Sequence, residues 1–401
     1  MSQLSNGPGP EPSGRTSASS PACSSVVLPE PEGHSPRLEY DRPGEVAGPD
    51  SIGTAPDTAR RIVLLTGASG VVGQALLRRL RGLDVVCLVY RSPVGGPDMT
   101  TVPGDITGPM FGLAERVYGE LAAKVDAVIH CAAVTGFHRG GGSLEATNIA
   151  GTEHVTAFAA AADAVLYHVS TAFVHTTADG DRGRTAVGYA ASKSAAEQVV
   201  RSSGVPYVIL RPSIVIGDSV TGEIAAFQGL HQVVAGIFAG IVPMIPFDPG
   251  WPVDFVPVDI VADAIACLVE NQVSAGDFWI SAGDKALRLG EGVAVVVELA
   301  RGLGVSVDMP RFVPPDMFDR LIGPVFLDAL PARIRRNVVR MREFFTTYLQ
   351  SGQTKPSSLD QLVALGARPL PDQRQSLRNS VRYWAARNGY GQTQSDPGSL
   401  T

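Results

Sequence analysis

The stretch Ile62–Leu80, IVLLTGASGVVGQALLRRL, joins an apolar run, a glycine-rich turn and an amphipathic segment in direct succession. The run Ile62–Thr66 predicts a buried strand, and Gly70–Leu80 predicts a helix with one apolar face. Glycines at such a junction let the backbone approach a pyrophosphate, and the free N–H groups of the helix N-terminus attract its charge. The glycine spacing alone is weak evidence. Its place between strand and helix predicts a pyrophosphate-binding turn, with a purely structural tight turn as the alternative.

Downstream, apolar strands alternate with helical stretches. Further strands are predicted at Asp84–Val89, Ala127–His130, Ala164–Ser170 and Tyr207–Arg211. Helical stretches are predicted at Ala114–Ala123, Leu144–Ala162 and Tyr189–Ser202. Continuous apolar strands separated by helices predict an α/β fold, a doubly wound parallel sheet (Rossmann fold), with ligands at the carboxyl ends of the strands.

The chain divides into four predicted regions. Residues 1–58 hold ten of the 30 prolines and predict a disordered N-terminal tail without the pattern of a secretory signal. Residues 59–215 form the predicted Rossmann domain. Residues 216–390, with helices near 258–271, 288–303 and 330–350, predict a smaller substrate-binding lobe interleaved with the Rossmann core. Residues 391–401 predict a flexible tail.

The composition argues against several classes of protein. A net charge of -6 gives no general attraction to nucleic acid or anionic membranes. The apolar run 233–245 is shorter than the roughly 20 residues of a membrane span, so we expect a buried helix or the wall of an apolar pocket there. The cysteines predict reduced thiols in a cytoplasmic protein, because they are scattered over the chain at Cys23, Cys87, Cys131 and Cys267. The seven histidines lack metal-ligand spacing, so no metal is expected.

The second predicted strand bears on the choice of nicotinamide cofactor. NAD-binding proteins usually end this strand with a carboxylate that holds the ribose 2′-hydroxyl. Here no carboxylate stands at the end of the strand, and Arg91, two residues after Val89, can pair with a 2′-phosphate, so the sequence favours NADP(H) over NAD(H). A solvated surface arginine is the alternative. Asp105 follows a third predicted strand and is a candidate for contacting the adenine or for capping a helix.

Tyr189 and Lys193 stand four residues apart, on one face of a predicted helix. Burial beside an ammonium is expected to lower the pKa of a phenol and make it a usable proton donor or acceptor. The lysine can also hold the ribose hydroxyls of a nicotinamide cofactor. The chain has only nine tyrosines and four lysines, so a chance pair at this spacing is uncommon. A plain helix-surface pair is the alternative.

These motifs, in this order, resemble the extended short-chain dehydrogenase/reductase superfamily. Further stretches resemble its thioester reductase and fatty acyl-CoA reductase branch: Gly104–Ile106, Phe111–Leu113, His130–Ala133, Thr147–Thr152, Val169–Val174, Gly188–Lys193, Arg211–Gly217 and Val253–Asp259. The resemblance covers about residues 61–270. It implies an NAD(P)-dependent oxidoreductase with a Rossmann fold.

The resemblance also implies roles for single residues. Four of them are predicted to be catalytic, namely a hydroxyl donor, a general acid/base, a ribose-binding lysine and an active-site asparagine: Thr171, Tyr189, Lys193 and Asn148. The predicted cofactor-binding residues are Thr66, Gly67, Ser69, Gly70, Val71, Val72, Gly73, Arg91, Asp105, Ile106, Ala132, Tyr189, Lys193, Arg211, Pro212 and Ser213.

The branch implies hydride transfer from NADPH to an acyl thioester, carried by coenzyme A or an acyl carrier protein, with an aldehyde or alcohol as product. Two features depart from sugar-nucleotide members: His175 replaces a frequent tyrosine, and only 18 residues separate Thr171 from Tyr189. The alternatives are another lipophilic carbonyl substrate, a hydroxysteroid-type dehydrogenase, a sugar-nucleotide epimerase or dehydratase, and a non-catalytic NADP-sensing regulator. A basic run, Arg333 to Arg342, can meet the phosphates of a carrier or form a solvated helix face. A homodimer is also possible, and the sequence does not decide the oligomeric state.

Overall fold

A computed structural model describes residues 60–92, 94, 99–135, 144–174, 184–227, 229–318, 320, 335, 349 and 352–391. The predicted tails, residues 1–58 and 391–401, lie outside these ranges apart from Gly391. Within these ranges, no helix combines the length and the apolar character that a membrane span requires.

Strands and helices alternate along the first half of the chain. The strands are β1 (Ile62–Thr66), β2 (Asp84–Val89), β3 (Thr100–Pro103), β4 (Ala127–His130), β5 (Val165–Val169), β6 (Tyr207–Pro212), β7 (Ile214–Ile216), β8 (Met244–Ile245), β9 (Pro252–Val253), β10 (Phe255–Pro257), β11 (Gly276–Ile280), β12 (Leu287–Arg288) and β13 (Arg311–Phe312). The α-helices are α1 (Val71–Arg79), α2 (Glu115–Ala122), α3 (Gly151–Ala161), α4 (Arg184–Ser202), α5 (Gly229–Phe238), α6 (Val258–Glu270), α7 (Leu289–Gly302), α8 (Pro315–Met317), α9 (Leu359–Ala364) and α10 (Gln373–Arg387). Two 3₁₀-helices occupy Pro109–Gly112 and Gly283–Lys285, and a π-helix occupies Glu145–Ala150.

Seven parallel strands form one sheet in the order β11-β6-β5-β4-β1-β2-β3. This confirms the predicted α/β, doubly wound fold. The strand order runs outward in both directions from the β1–β4 pair. The carboxyl ends of these two strands therefore flank the switch point, where open α/β sheets bind their ligands.

Both faces of the sheet are covered, because each strand places successive side chains on opposite faces. In β1, Val63 and Leu65 pack in one core with α1 and α6, while Leu64 packs in the opposite core with α3. All three side chains have no exposed surface. The near-continuous apolar character of the strands follows from this burial on both faces.

A separate apolar core holds the smaller lobe together. Its members come from β7, β10, α5, α7 and α10, and Phe238 packs edge-on against Trp384 at 5.1 Å between ring centroids. The expected buried helix near 233–245 is α5, whose residues are largely buried. Helices predicted near 258–271 and 288–303 are α6 and α7, whereas most of 330–350 lies outside the described residues.

The chain returns from the lobe to the sheet at β11, which the sequence did not predict. β11 pairs with β6 in parallel, with Phe278 opposite Leu210. Helix α6 likewise joins the core over β1, and Arg79 of α1 donates a 2.7 Å hydrogen bond to its Asp263. The lobe and the sheet are thus interleaved along the chain.

Candidate active site

The turn between β1 and α1 brings backbone groups, not side chains, to the carboxyl end of the sheet. Gly67 has a φ of +74°, and a Cβ there would lie 2.5 Å from the Ala132 nitrogen. A Cβ at Gly73 would collide with the Gly67 carbonyl oxygen. No side chain caps the N-terminus of α1 at Gly70, so the first N–H groups of this helix stay available to an anion. The close approaches and the free N–H groups fit a pyrophosphate at this turn.

Two adjoining cavities form a crevice above the turn. The first, of about 540 Å³, extends from the glycines to the ends of β2 and β3, where Arg91 and Asp105 line it. The second, of about 570 Å³, extends toward the lobe and is lined by Thr171, Tyr189 and Ser213. Gly67, Ser69 and Gly70 are among the residues that line both cavities. The predicted site residues line this crevice with three exceptions: Asn148, Lys193 and Arg211.

Arg91 lies in the first cavity beside Tyr90. Its Nη2 donates to the Tyr90 hydroxyl at 2.9 Å, and its guanidinium carbon lies 4.6 Å from the centre of that ring. Asp105 accepts a hydrogen bond from the Thr107 backbone through Oδ1, which shapes the loop after β3. This loop is held by a turn in which Met110 and Phe111 adopt φ values of 49° and 59°, an uncommon conformation for such side chains.

A polar row crosses the sheet below the crevice. Thr66, His130 and His168 occupy the same register on β1, β4 and β5. The Thr66 hydroxyl lies 2.7 Å from His130 Nδ1, and His130 Nε2 lies 3.1 Å from Thr152 Oγ1. Because Thr152 donates to the Asn148 carbonyl, it accepts from Nε2–H of a neutral His130. Burial, together with the nearby Lys193, lowers the pKa of His130 to about 3.

Thr171, after β5, and Tyr189, within α4, both line the second cavity. Thr171 is buried and Tyr189 half-buried. Burial raises the pKa of the Tyr189 phenol to about 12. The expected lowering of this pKa by a neighbouring cation is wrong, because burial penalises the charged phenolate. The phenol is therefore protonated at neutral pH.

Lys193 lies under the crevice, not in it. Its side chain is 2% exposed, and its Nζ lies 3.4 Å from Nε2 of His168. Among the described residues its hydrogen bond goes to this imidazole and not to the Tyr189 phenol. Burial lowers the pKa of Lys193 to about 8, while Cys131 and Glu197 oppose the shift.

Asn148, on the π-helix Glu145–Ala150, was predicted to be catalytic, but its amide is fully committed to the fold. Its Oδ1 accepts from the Val134 nitrogen at 2.8 Å, and its Nδ2 donates to Ser192 Oγ at 2.9 Å and to the Val134 carbonyl at 3.0 Å. It ties the strand-end segment that lines the crevice to helix α4. These bonds give Asn148 a role in positioning that segment, and its catalytic role stays a prediction.

Arg211, predicted to bind cofactor, is held elsewhere by carboxylates. Its Nε and Nη2 bond Glu197 at 2.9 and 2.6 Å, and Nη2 also bonds Asp277 at 3.0 Å. The guanidinium is buried between α4 and β11, so it does not reach the crevice. These partners could not be read from the local motif, because Asp277 comes from a segment distant in sequence, and a cofactor-binding role for Arg211 stays a prediction.

The sequence reasoning missed Glu197 and His168. Glu197 accepts from Ser170 Oγ at 2.6 Å and thereby holds the residue before Thr171. A signal for Glu197 exists, since Tyr189, Lys193 and Glu197 follow one another at intervals of four on α4. His168 carried no such signal, because strand alternation alone does not show which buried position faces the lysine.

Two of the sequence features noted above concern residues that the structure does not describe. His175 and the basic run, apart from Arg335, lie outside the described residues. Within the described part of the chain, no group of three or more histidine, cysteine, aspartate or glutamate side chains could hold a metal ion.

Comparisons with known proteins point to one family. The family model described as "Male sterility protein" matches residues 96–265. A hybrid PKS-NRPS synthetase from Fusarium sp is 30% identical over 291 residues, 61% of this chain and 7% of that protein. An isonitrile lipopeptide synthase from Streptomyces coeruleorubidus is 30% identical over 255 residues, 52% of this chain and 17% of that protein. The crystal structure of the terminal R domain from the myxalamid PKS-NRPS biosynthetic pathway matches with a TM-score of 0.64 and 25% identity, covering 83% of this chain and 92% of that one.

The chain therefore spans only a small part of these two curated relatives, whereas it spans nearly all of the solved reductase domain. The family match, the seven-stranded parallel sheet and the glycine turn agree on an NAD(P)-binding domain. The chain is thus similar to the male sterility and thioester reductase branch of the extended short-chain dehydrogenase/reductase superfamily.

Proposed function

We propose that the chain reduces an acyl thioester to an aldehyde or alcohol, with NADPH as the hydride donor. The observation that carries the proposal is the second cavity, in which Thr171 and Tyr189 face the same space as the glycine turn. A carbonyl group bound in this cavity would share it with both hydroxyls. The acyl group arrives on coenzyme A or on an acyl carrier protein.

The substrate side of this cavity supports an acyl chain. Phe173, Ile214 and Val215 line it next to Thr171, and the crevice thus offers apolar walls beside the two hydroxyls. A strongly polar substrate such as a sugar nucleotide would leave its hydroxyls against these side chains without partners, at a cost in affinity.

The residues divide the chemistry between them. The nicotinamide cofactor, when bound, supplies a hydride to the carbonyl carbon. Negative charge then develops on the carbonyl oxygen, where Thr171 donates a hydrogen bond and Tyr189 donates a proton. The phenol is suited to this role because its pKa of about 12 keeps it protonated. The resulting hemithioacetal releases the thiol and leaves an aldehyde, and a second hydride gives the alcohol.

Reduction of candidate substrates tests the proposal directly. Absorbance at the NADPH band is followed with long-chain acyl-CoA, an acylated carrier protein, a hydroxysteroid ketone and a UDP-sugar. We expect oxidation of NADPH with a thioester substrate. Turnover only with the steroid or sugar nucleotide would support the other enzyme classes, and NADPH binding without any turnover would support a cofactor-sensing regulator.

The Tyr189→Phe variant is expected to lose turnover by at least about a hundredfold, because it lacks the proton donor. Cofactor binding, measured by fluorescence titration, should stay nearly unchanged. Tyr207→Phe is the matched control, since Tyr207 bonds Arg201 outside the crevice and should keep wild-type turnover. Unchanged turnover in Tyr189→Phe contradicts the assignment.

The preference for NADPH rests on Arg91, which lines the first cavity at the end of β2. A guanidinium there offers charge-assisted hydrogen bonds to a 2′-phosphate. Arg91→Ala is expected to raise the KM for NADPH about tenfold to a hundredfold and to leave the KM for NADH nearly unchanged. Steady-state kinetics with both cofactors measures this, and an equal change for both would contradict the preference.

A further inference from the structure

The Lys193 ammonium is enclosed by titratable side chains from three parts of the fold. His168 on β5 is in hydrogen-bond contact with it at 3.4 Å. Cys131, after β4, and Glu197, one turn further along α4, both act on its charge. His130 on β4 lies near enough that the ammonium disfavours its protonation. The lysine is therefore held from the sheet side, below the crevice, with Tyr189 one helical turn away on α4.

Among these neighbours in the described part of the chain, only His168 is hydrogen-bonded to the ammonium. The Glu197 carboxylate already receives hydrogen bonds from Ser170 and from two nitrogens of Arg211. Both ring nitrogens of His130 are bonded to threonines. The contact between His168 and Lys193 is thus a specific pairing and not one of several equivalent ones.

Stability alone does not account for a histidine at this position. The side chain of His168 has no exposed surface, and its Nδ1 has no hydrogen-bond partner among the described residues. When Nε2 accepts from the ammonium, Nδ1 carries the hydrogen of the neutral ring. A buried donor without an acceptor destabilises a fold, so an apolar residue of similar size would be the more stable choice.

We propose that His168 is the positioning residue of Lys193: its Nε2 accepts a hydrogen bond from the ε-ammonium and holds it under the crevice. One of the three N–H groups of the ammonium is committed to the imidazole, and two remain for other acceptors. The role of this charge in turnover rests on the proposed function. The contact between His168 and Lys193 does not depend on the proposed function.

The scarcity of lysine makes the proposal measurable without any substrate. The chain has four lysines, so protein labelled with ¹³C at the lysine Cε gives at most four signals from the folded chain. The Lys193 signal is the one lost in Lys193→Arg. Its titration reports the protonation of Lys193 directly, which in the wild-type protein is expected near the pKa of about 8.

Removing the acceptor is expected to move this titration. In His168→Leu the pH of half-protonation should fall by about one to two units, because the buried ammonium loses its hydrogen bond. In His168→Gln the amide oxygen can accept in the same place and should restore most of the wild-type value. An unchanged titration in His168→Leu overturns the proposal.

Two further variants serve as controls. His168→Asn keeps a polar side chain but shortens the reach of the acceptor, so its pH of half-protonation should fall as in His168→Leu. This variant replaces His168→Leu in the test if the leucine variant does not fold. His130→Gln alters the neighbouring imidazole that makes no hydrogen bond to Lys193. An equal shift in His130→Gln and His168→Leu assigns the effect to general burial and overturns the proposal.

Turnover supplies a separate measurement. If the thioester reductase activity is found, the alkaline limb of the kcat profile should move down in His168→Leu by the same shift as the Lys193 signal. A limb that stays in place while the signal moves overturns the link between His168 and turnover. A wild-type protein without reductase activity contradicts the proposed function, and the Lys193 titration alone then decides the pairing.

Discussion

At the scale of single residues, Lys193 shows how a buried charge destabilises the fold that encloses it. In the unfolded chain its amine titrates at the ordinary 10.5, and in the folded chain at about 8. Between these two pH values the unfolded chain binds more protons, so the free energy of unfolding rises with pH. Below pH 8 the folded chain bears the full penalty of the buried charge.

Lys193→Met is therefore expected to be more stable than the wild-type protein at pH 7, by up to about 3 kcal/mol. Methionine fills the buried site without a charge, although turnover should be lost. Urea denaturation at a series of pH values measures the difference. The advantage should shrink as pH rises from 8 toward 10.5, and a constant difference over that range would contradict a buried ammonium.

Most residues that line the crevice were predictable from the sequence, but their electrostatics were not. The motif around Tyr189 named a phenol and an amine at the right spacing. The pKa of the phenol nevertheless depends on burial, and the amine turns to His168, a contact that no local pattern encodes. Arg211 lies in a motif typical of the family, yet Asp277, a partner 66 residues away, helps to hold it out of the crevice.

At the scale of elements, the β1–α1 turn depends on a glycine with positive φ. Gly67→Ala is expected to destabilise the protein and to weaken NADPH binding at least tenfold, because the new Cβ would meet the Ala132 backbone. Gly82→Ala is the matched control, since no atom lies within 4 Å of its Cβ and its φ is ordinary. Thermal unfolding and fluorescence titration measure both effects. Equal behaviour of the two variants would contradict the close approach at Gly67.

Five strands of the sheet, β1, β2, β4, β5 and β6, were predicted to within about a residue, because each is largely a short apolar run. β11 was not predicted, because its sequence, GDFWI, is short and its pairing with β6 joins segments far apart in the chain. The π-helix Glu145–Ala150 was not predicted either, since the apolar pattern over Leu144–Ala162 is compatible with one continuous α-helix. The π-helix is the element that carries Asn148 to its contacts.

At the scale of the whole molecule, two buried histidines predict sensitivity to acid. Burial lowers the pKa of His130 to about 3 and that of His168 well below 6.5. Below pH 6.5 the unfolded chain therefore binds more protons, and the free energy of unfolding falls as pH falls. Each histidine contributes up to about 1.4 kcal/mol per pH unit to this slope.

Chemical denaturation between pH 6 and 4.5 measures the slope. The His130→Gln variant should lose about 1.4 kcal/mol per pH unit of it, because one of the two titrating groups is gone. Carboxylates also contribute to acid unfolding, but their share is common to both proteins. An identical slope in the variant would show that His130 is protonated in the folded chain.

The late arrival of β11 has a consequence for synthesis on the ribosome. Until residues 276–280 emerge, the nascent chain exposes the free edge of β6, with its row of unpaired backbone N–H and C=O groups. In a fragment that stops at residue 215 the edge of β6 has no partner strand, and a strand from another molecule can pair with it. The nucleotide-binding half is thus not a unit that can be excised at the end of its last predicted strand: the cut must fall beyond Ile280 if the product is to remain monodisperse.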